Sequence, residues 1–402
     1  MEVMEGYKQT EVGGIPKDWD VVPLDGLSDF VTSGSRGWAQ FYSKRGALFI
    51  RSQNVRDGRL SFEDLQYVSP PSGAEGNRTK VRPNDLLITI TGNSVGNVAL
   101  VEEAFEEAYI SQHVGLVRLK EPARGSYICR FLSPNSPGNQ QIAGSQSGQS
   151  KPGLNLRNLK DFLIALPPSL HEQRAIATAL SDVDALIDGL TRLIAKKRDL
   201  KQASMQQLLT GQTRLPGFSG AWETKRLGDV AEIVMGQSPS SSNYNSIGKG
   251  LPLIQGNADI LNRWAIKRTY TTQSTKRGKA GDILMSVRAP VGEISRTTFD
   301  VCLGRGVCAI RFPNAFLYHS LVFFEPNWTK HSKGSTFDSV NSPDVNAVEI
   351  YIPVEEAEQV AIATIFSDMD AELAALDARL TKTRALKQAM MQELLTGKTR
   401  LV

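Results

Sequence analysis

Cysteine, histidine and long apolar runs are all scarce in this chain of 402 residues, and each scarcity removes a class of function. The three cysteines, Cys129, Cys302 and Cys308, are odd in number and sit in apolar, strand-like contexts, so they predict buried free thiols and no disulfide framework. The four histidines, His113, His171, His319 and His331, show no metal-ligand spacing, and neither Cys-x-x-Cys nor His-Glu-x-x-His occurs. Gly92-Asn93-Ser94-Val95-Gly96-Asn97 lacks the lysine of a phosphate-binding loop, and no Gly-x-Gly-x-x-Gly opens a helix. The Asp/Asn-Pro-Pro-aromatic signature of an adenine methyltransferase is missing too; Leu166-Pro167-Pro168-Ser169 reads as a strand-to-helix junction. These gaps predict a chain with no catalytic residues and no metal site. No stretch approaches the roughly 18 apolar residues of a membrane span, and Met1 to Gly6 lacks the basic and apolar regions of a secretion signal. A cytoplasmic location away from membranes is expected.

What the chain does have is a long repeat. Ala175 to Leu215 aligns without a gap with Ala361 to Leu401 at an offset of 186, with 24 of 41 positions identical. A repeat this long, occurring twice, points to a two-fold arrangement, because a solenoid needs several stacked units to bury a core. Upstream the likeness thins. Trp19 to Leu24 matches Trp222 to Leu227 and Asn54 matches Asn257 at offset 203, Asp85 matches Asp282 at 197, and Arg118 matches Arg311 at 193. The chain therefore reads as a variable domain (1–168), a helical repeat (169–213), a second variable domain (214–352) and a second helical repeat (353–402). With 41% hydrophobic and 22% charged residues it has the composition of a folded globular chain. The second variable domain is mildly basic, with 16 Lys and Arg against 11 Asp and Glu.

Pro167-Pro168 stops whatever precedes it, and Ser169 with Glu172 forms a capping box, so a helix is predicted from Ser169 to about Thr210, ended by Gly211. Its apolar positions Ile176, Leu180, Val183, Ile187, Leu190 and Ile194 step alternately by four and three, the period of a coiled-coil seam. The second copy repeats them as Ile362, Phe366, Met369, Leu373, Leu376 and Leu380, and it begins with carboxylates at Glu355 and Glu356, near the positive end of the helix dipole. At 1.5 Å per residue, about 40 residues make a rod of about 60 Å. An antiparallel pair is expected, since a domain of about 140 residues between the helices can return the chain to its start; packing of each helix on its own domain is the other possibility. Beyond the seam both helices become basic and amide-rich. Gln173, Arg174, Gln206 and Gln207 in one copy and Gln359, Gln392 and Glu393 in the other are candidate residues for docking protein partners, with a solvated helix face as the plainer reading.

Each variable domain reads as a mixed, strand-rich globule. Strands are predicted at 47–51, 85–91, 113–119 and 162–166 in the first and at 253–254, 282–287, 307–312 and 348–352 in the second. Polar, glycine-rich loops lie between them at matched places. Arg51 to Asn54 matches Ile254 to Asn257, Thr91 to Ser94 matches Arg288 to Val291, and Ser145 to Lys151 matches His331 to Phe337. Asn and Gln can bond an adenine edge in two places and Arg or Lys a guanine edge, while Ser, Thr and Lys suit phosphate. The candidate DNA-contacting residues are Arg51, Gln53, Asn54, Thr91, Asn93, Ser94, Gln112, Gln146, Gln149 and Lys151 in the first domain. In the second they are Gln255, Asn257, Arg288, Arg305, Lys333 and Ser335. Any one such loop is an ordinary turn. Three matched pairs that differ in sequence are what two readers of two different sequences need.

This pattern resembles the specificity subunit of type I restriction-modification systems, the HsdS family, over essentially the whole chain. The residues that carry the resemblance are Glu172-Gln173-Arg174-Ala175-Ile176-Ala177 and Met205 to Gly211, with their echoes Glu358-Gln359-Val360-Ala361-Ile362-Ala363 and Met391 to Gly397. The domains also open alike, with Ile15-Pro16-x-x-Trp19 and Gly220-x-Trp222, each tryptophan followed five residues later by leucine. Val360 in place of Arg174 is a departure. The resemblance implies an α+β fold: two target recognition domains separated by two long antiparallel helices that form a coiled coil, with pseudo-twofold symmetry. It implies that each domain reads one half of a split, asymmetric site in double-stranded DNA while the helices fix the gap. Two methyltransferase (M) subunits would dock on the helical regions and restriction/translocase (R) subunits would join. S-adenosylmethionine, ATP and Mg are then expected on those partners, and no cofactor on this chain. A rod of about 60 Å easily spans the roughly 34 Å between major-groove sites one turn apart. The alternative function is a stand-alone sequence-specific DNA-binding regulator or architectural protein.

Overall fold

Two long helices, Leu170–Leu208 and Glu356–Leu394, each contribute to both of the compact units into which the chain divides. The computed structural model describes residues 5–70, 73–145, 153–328 and 339–401. The first unit comprises Met1–Thr191 with Ala378–Val402, and the second Arg192–Asp377. Each unit thus holds one variable domain, the start of one helix and the end of the other.

In the first unit an antiparallel sheet runs in the order Ser28–Ser33, Val114–Leu119, Leu86–Thr89, Val98–Leu100. The run Leu86-Leu87-Ile88 is buried on both faces because side chains alternate along a strand. Leu86 and Ile88 join a core with Val117, Tyr127, Phe131 and Ile176, while Leu87 joins another with Ile50, Val55, Ile110 and Leu116. A second sheet contains a parallel pair, Ala47–Ile50 with Ala108–Ile110. Leu163–Leu166 pairs with Asp20–Pro23, and Pro167-Pro168 then directs the chain into the first long helix.

The second unit repeats the scheme. Its larger sheet contains Glu232–Met235, Val307–Arg311, Ile283–Ser286 and Ile294–Arg296 in that order, with Ile283 and Met285 in one core and Leu284 in the other. Leu251–Ile254 and Val301–Leu303 form the parallel pair, and Trp222–Arg226 with Glu349–Pro353 leads into the second long helix. The predicted strands are all present in both units; six are a residue or more shorter than expected, the one predicted at 253–254 begins earlier at Leu251, and the one predicted at 348–352 is shifted by one residue to Glu349–Pro353. The matched Asp and Arg are joined in each. Buried Asp85 accepts from Arg118 Nε at 2.8 Å and Nη2 at 2.7 Å, and buried Asp282 accepts from Arg311 Nε and Nη2, both at 2.9 Å. Burial pushes the Asp85 carboxyl above its ordinary range, with the Arg118 hydrogen bonds pulling the other way.

The first helix starts where its sequence predicts, with Ser169 Oγ accepting from Glu172 N at 3.1 Å, but the capping box is only half formed, since the Glu172 carboxylate meets Arg400. Gly211 and Gly397, just past the two helix ends, both have φ of +69°, a conformation that favours glycine. The expected antiparallel pairing is present inside each unit. In the first, Asp184 meets Lys387 at 2.9 Å and Glu172 meets Arg400 at 2.5 Å; in the second, Lys201 pairs with Asp370, Lys197 with Glu372 at 2.7 Å, and Arg214 with Glu358 at 2.6 Å. The partners are exchanged between copies. Asp184 and Asp370 are equivalent in the repeat, as are Lys387 and Lys201, so each contact joins one copy to the other. Seam residues Ile176, Leu180, Ile362 and Phe366 are fully buried among the domain cores, while Val183, Ile187, Leu373 and Leu376 are half-buried.

One local expectation is corrected. Cys129 lies in the helix Gly125–Leu132, not in a strand-like segment, because Tyr127, Ile128, Phe131 and Leu132 form one apolar helix face. All three thiols are buried and free.

Candidate nucleic-acid interface

In both units the polar loops converge where the parallel strand pair ends, and backbone hydrogen bonds join them. In the second unit Gly304 N donates to Ile254 O at 2.7 Å, Val287 N to Gly306 O at 2.9 Å, Gly236 N to Val307 O at 3.0 Å and Val340 N to Val287 O at 2.9 Å. The first unit has the same set: Ser111 N to Ile50 O at 2.8 Å, Ile90 N to His113 O at 2.9 Å, Gly34 N to Val114 O at 3.2 Å and Leu154 N to Ile90 O at 2.8 Å. Obligatory backbone pairing of this kind fixes a loop frame independently of the side chains it displays.

The frame makes Thr91 equivalent to Arg288 and Gln112 equivalent to Arg305. It shifts the first loop match. Asn54 corresponds to Asp259, not to Asn257: each is buried at the end of a 3-10 turn. Each side chain accepts from the residue just after the strand, Arg51 N at 3.0 Å and Gln255 N at 2.8 Å. Each carbonyl accepts at 2.8 Å from the far side of a short hairpin, from Ser61 N and Ile266 N. Arg51 is thus the counterpart of Gln255, and the loop in the second unit is one residue longer.

Four of the second unit's candidates, Gln255, Asn257, Arg288 and Arg305, line one cleft of about 620 Å³. Arg288 and Arg305 are exposed, and neither guanidinium has a partner among the described residues. The main-chain N–H of Arg305 is held at 3.1 Å by Ser238 Oγ. Among the described residues no acidic side chain lines the cleft, which suits its arginines to an electron-rich ligand. Ser238, Ser240, Ser241 and Tyr244 complete the wall; they were not among the sequence candidates, although the polar run Gln237 to Asn243 directly after a strand was the available signal.

The first unit's candidates are more engaged. Asn54 is a correction: buried, it donates to Ser61 O at 3.0 Å and Asp64 O at 2.9 Å, and so supports the loop without facing outward. Arg51 pairs with Asp64 at 3.1 Å, and Gln53 bonds the same carboxylate. Thr91 is joined to His113, and Gln112 Nε2 lies 3.1 Å from His113 Nε2. Asn93 is exposed and Ser94 half-buried on the neighbouring turn. Gln146, Gln149, Lys151, Lys333 and Ser335 lie outside the described residues, as does most of the third pair of matched loops.

Of the docking candidates, Arg174, Gln206, Gln207 and Glu393 are exposed and Gln392 is half-buried. Gln173 and Gln359 are corrections. Both are buried, and each Nε2 donates at 2.8 Å to the carbonyl ending the preceding segment, Pro167 O and Pro353 O. They tie the helix starts to their domains and offer nothing to a partner. Within the first unit Arg174 and Glu393 are charged; their repeat equivalents in the second, Val360 and Gln207, are neutral.

Comparison with known proteins agrees with this geometry. The family model of the type I restriction modification DNA specificity domain matches residues 16–197 and 220–383. A Methanocaldococcus jannaschii protein named for the specificity subunit of the type I restriction enzyme MjaX is 30% identical over 419 residues, covering 99% of this chain and 97% of that one. Among solved structures, a chain from a study of complex assembly and conformational transition of the type I R-M system is 25% identical with a TM-score of 0.58, covering 96% of this chain and 99% of that one. The type I restriction-modification S subunit from M. genitalium superposes with a TM-score of 0.64 at 15% identity over 98% of both chains, a likeness of fold.

Proposed function

The chain belongs to the type I restriction-modification DNA specificity family, and we propose that its two units each read one half of a bipartite, asymmetric DNA site. It is the sequence-recognition subunit of a restriction-modification complex and carries no catalysis itself. The observation that supports the split reading is the pairing of one loop frame with different residues. Equivalent positions hold Arg51 and Gln255, Thr91 and Arg288, and Gln112 and Arg305, while the backbone hydrogen bonds that frame them repeat in both units. A shared frame fixes how each unit meets the duplex, and the differing side chains fix which base edges it accepts.

The long helices, of 39 residues each, then set the number of base pairs between the two halves. Two methyltransferase subunits bind the exposed helix residues, including Arg174, Gln206, Gln207 and Glu393, and restriction/translocase subunits join the assembly. S-adenosylmethionine, ATP and Mg act on those partners. No helix among the described residues is long and apolar enough to cross a membrane, in keeping with a cytoplasmic site of action.

Replacement of residues 220–350 by the corresponding domain of a relative tests this directly. The methylated site should change in one half only, and a change in both halves or in neither defeats the reading. Insertion of one matched turn into both helices should widen the spacer and leave both half-sites as they were.

A further inference from the structure

From the cleft geometry we infer that Arg305 and Arg288 are specificity-determining residues and that the half-site read by the second unit contains guanine at the positions they face. This rests on the split-site reading above and adds to it the base that is read. Arg305 is the tip of Gly304-Arg305-Gly306, and the tip is clamped. A Cβ on Gly306 would lie 2.0 Å from Gln255 O, one on Gly304 would lie 3.0 Å from Gln255 Cα, and one on Gly236 would lie 2.0 Å from Gly304 O. Three glycines therefore let three loop backbones pack against one another, and the arginine between them is displayed from a fixed base.

A guanidinium presents a rigid fork of donors, which matches the O6 and N7 acceptors of guanine in the major groove. It also matches phosphate, and two observations favour the base. The cleft walls beside the arginines carry Gln255 and Asn257, amide side chains suited to base edges, and no lysine among the described residues. Phosphate is also the same in every half-site, so a position that meets phosphate has no reason to differ between the units. Yet the counterparts of Arg305 and Arg288 are Gln112 and Thr91. A glutamine in the place of an arginine is the exchange that moves preference from guanine towards adenine.

The test assembles the full chain with its methyltransferase subunits, methylates a randomised DNA library and sequences the modified sites. Exchange of residues 220–350 first assigns which half belongs to the second unit, so failure of the split-site reading appears in that arm alone. In the assigned half at least one guanine is expected. Arg305→Gln should lower discrimination at one guanine position by about tenfold to a hundredfold, leaving the other half unchanged. Arg305→Lys keeps the charge without the planar fork and should relax the same position with less loss of affinity. The inference is overturned if the assigned half lacks guanine. It is overturned equally if Arg305→Gln weakens binding to every sequence alike with a shallower salt dependence, the mark of a phosphate contact.

Discussion

His319 occupies in the second unit the place that Arg130 occupies in the first. Arg130 Nη2 donates to Ser181 Oγ at 3.1 Å and its guanidinium pairs with Asp184; His319 Nε2 lies 3.2 Å from Ser367 Oγ and its Nδ1 3.9 Å from Asp370. The serines and the aspartates are each 186 residues apart, so the long helices present the same pair of groups to a permanent charge in one unit and to a titratable ring in the other.

Acid should therefore weaken the second unit selectively. Burial is the main cause pushing the His319 imidazole down to about 4, with Asp370 pulling it up and Lys201 and Arg296 opposing. The unfolded chain takes up this proton near pH 6.5 and the folded chain only near 4. The contribution to stability is complete above pH 6.5 and is lost as pH falls from there towards 4, by roughly 3 kcal/mol. Urea titrations across this range should show the loss, and His319→Phe should remove that part of the pH dependence.

The exchanged ion pairs give a second expectation. Glu172 is buried, and Arg400 meets it through Nε and Nη2 at 2.5 and 2.8 Å while also reaching Asp18. Arg400→Met leaves a buried carboxylate without its counter-charge and should cost about 3 kcal/mol. Glu172→Gln removes the buried charge as well and should cost less. Equal losses in chemical denaturation would contradict this account.

The thiols should be silent in the folded protein. Burial raises Cys129 and Cys308 to about 12, and Cys302 is also enclosed. A thiolate reagent needs the deprotonated, accessible form. Titration with a chromogenic disulfide should detect no thiol in the native chain and all three in denaturant.

Loop clamping predicts an effect confined to one unit. Gly34 faces its neighbours as Gly236 does, and a Cβ there would lie 2.2 Å from the Ser111 carbonyl carbon. Gly34→Ala and Gly236→Ala should each destabilise their own unit by about 1–3 kcal/mol through overpacking. In methylation assays each should blur one half-site, the first unit's or the second's.

Much of the architecture was legible because its signals are local. The Ser169 cap and the glycines past the helix ends depend on neighbours within a turn or two and appear as read, whereas the apolar stripe from Ile176 to Ile194 begins inside the domain core and is only half-buried at Val183 and Ile187. The interface was legible only as a set of loops. Asn54, Gln173 and Gln359 are polar residues of the types that bind partners, yet they turn inward to satisfy backbone groups. Arg51 looked free until the fold brought Asp64 against it. The match of Asn54 to Asn257 failed because identity of residue type outweighed a one-residue difference in loop length, which only the hydrogen-bond frame reveals.

By itself the sequence determined that there are two copies of a long capped helix and two unlike strand-rich domains, since periodicity, capping and repetition are properties of the linear chain. Tertiary structure alone decided which residues of the antiparallel helices pair with one another, and which polar side chains stay outside. Those outcomes depend on burial and on partners remote in sequence, as when Glu172 finds Arg400 and Arg305 finds a place between three glycines.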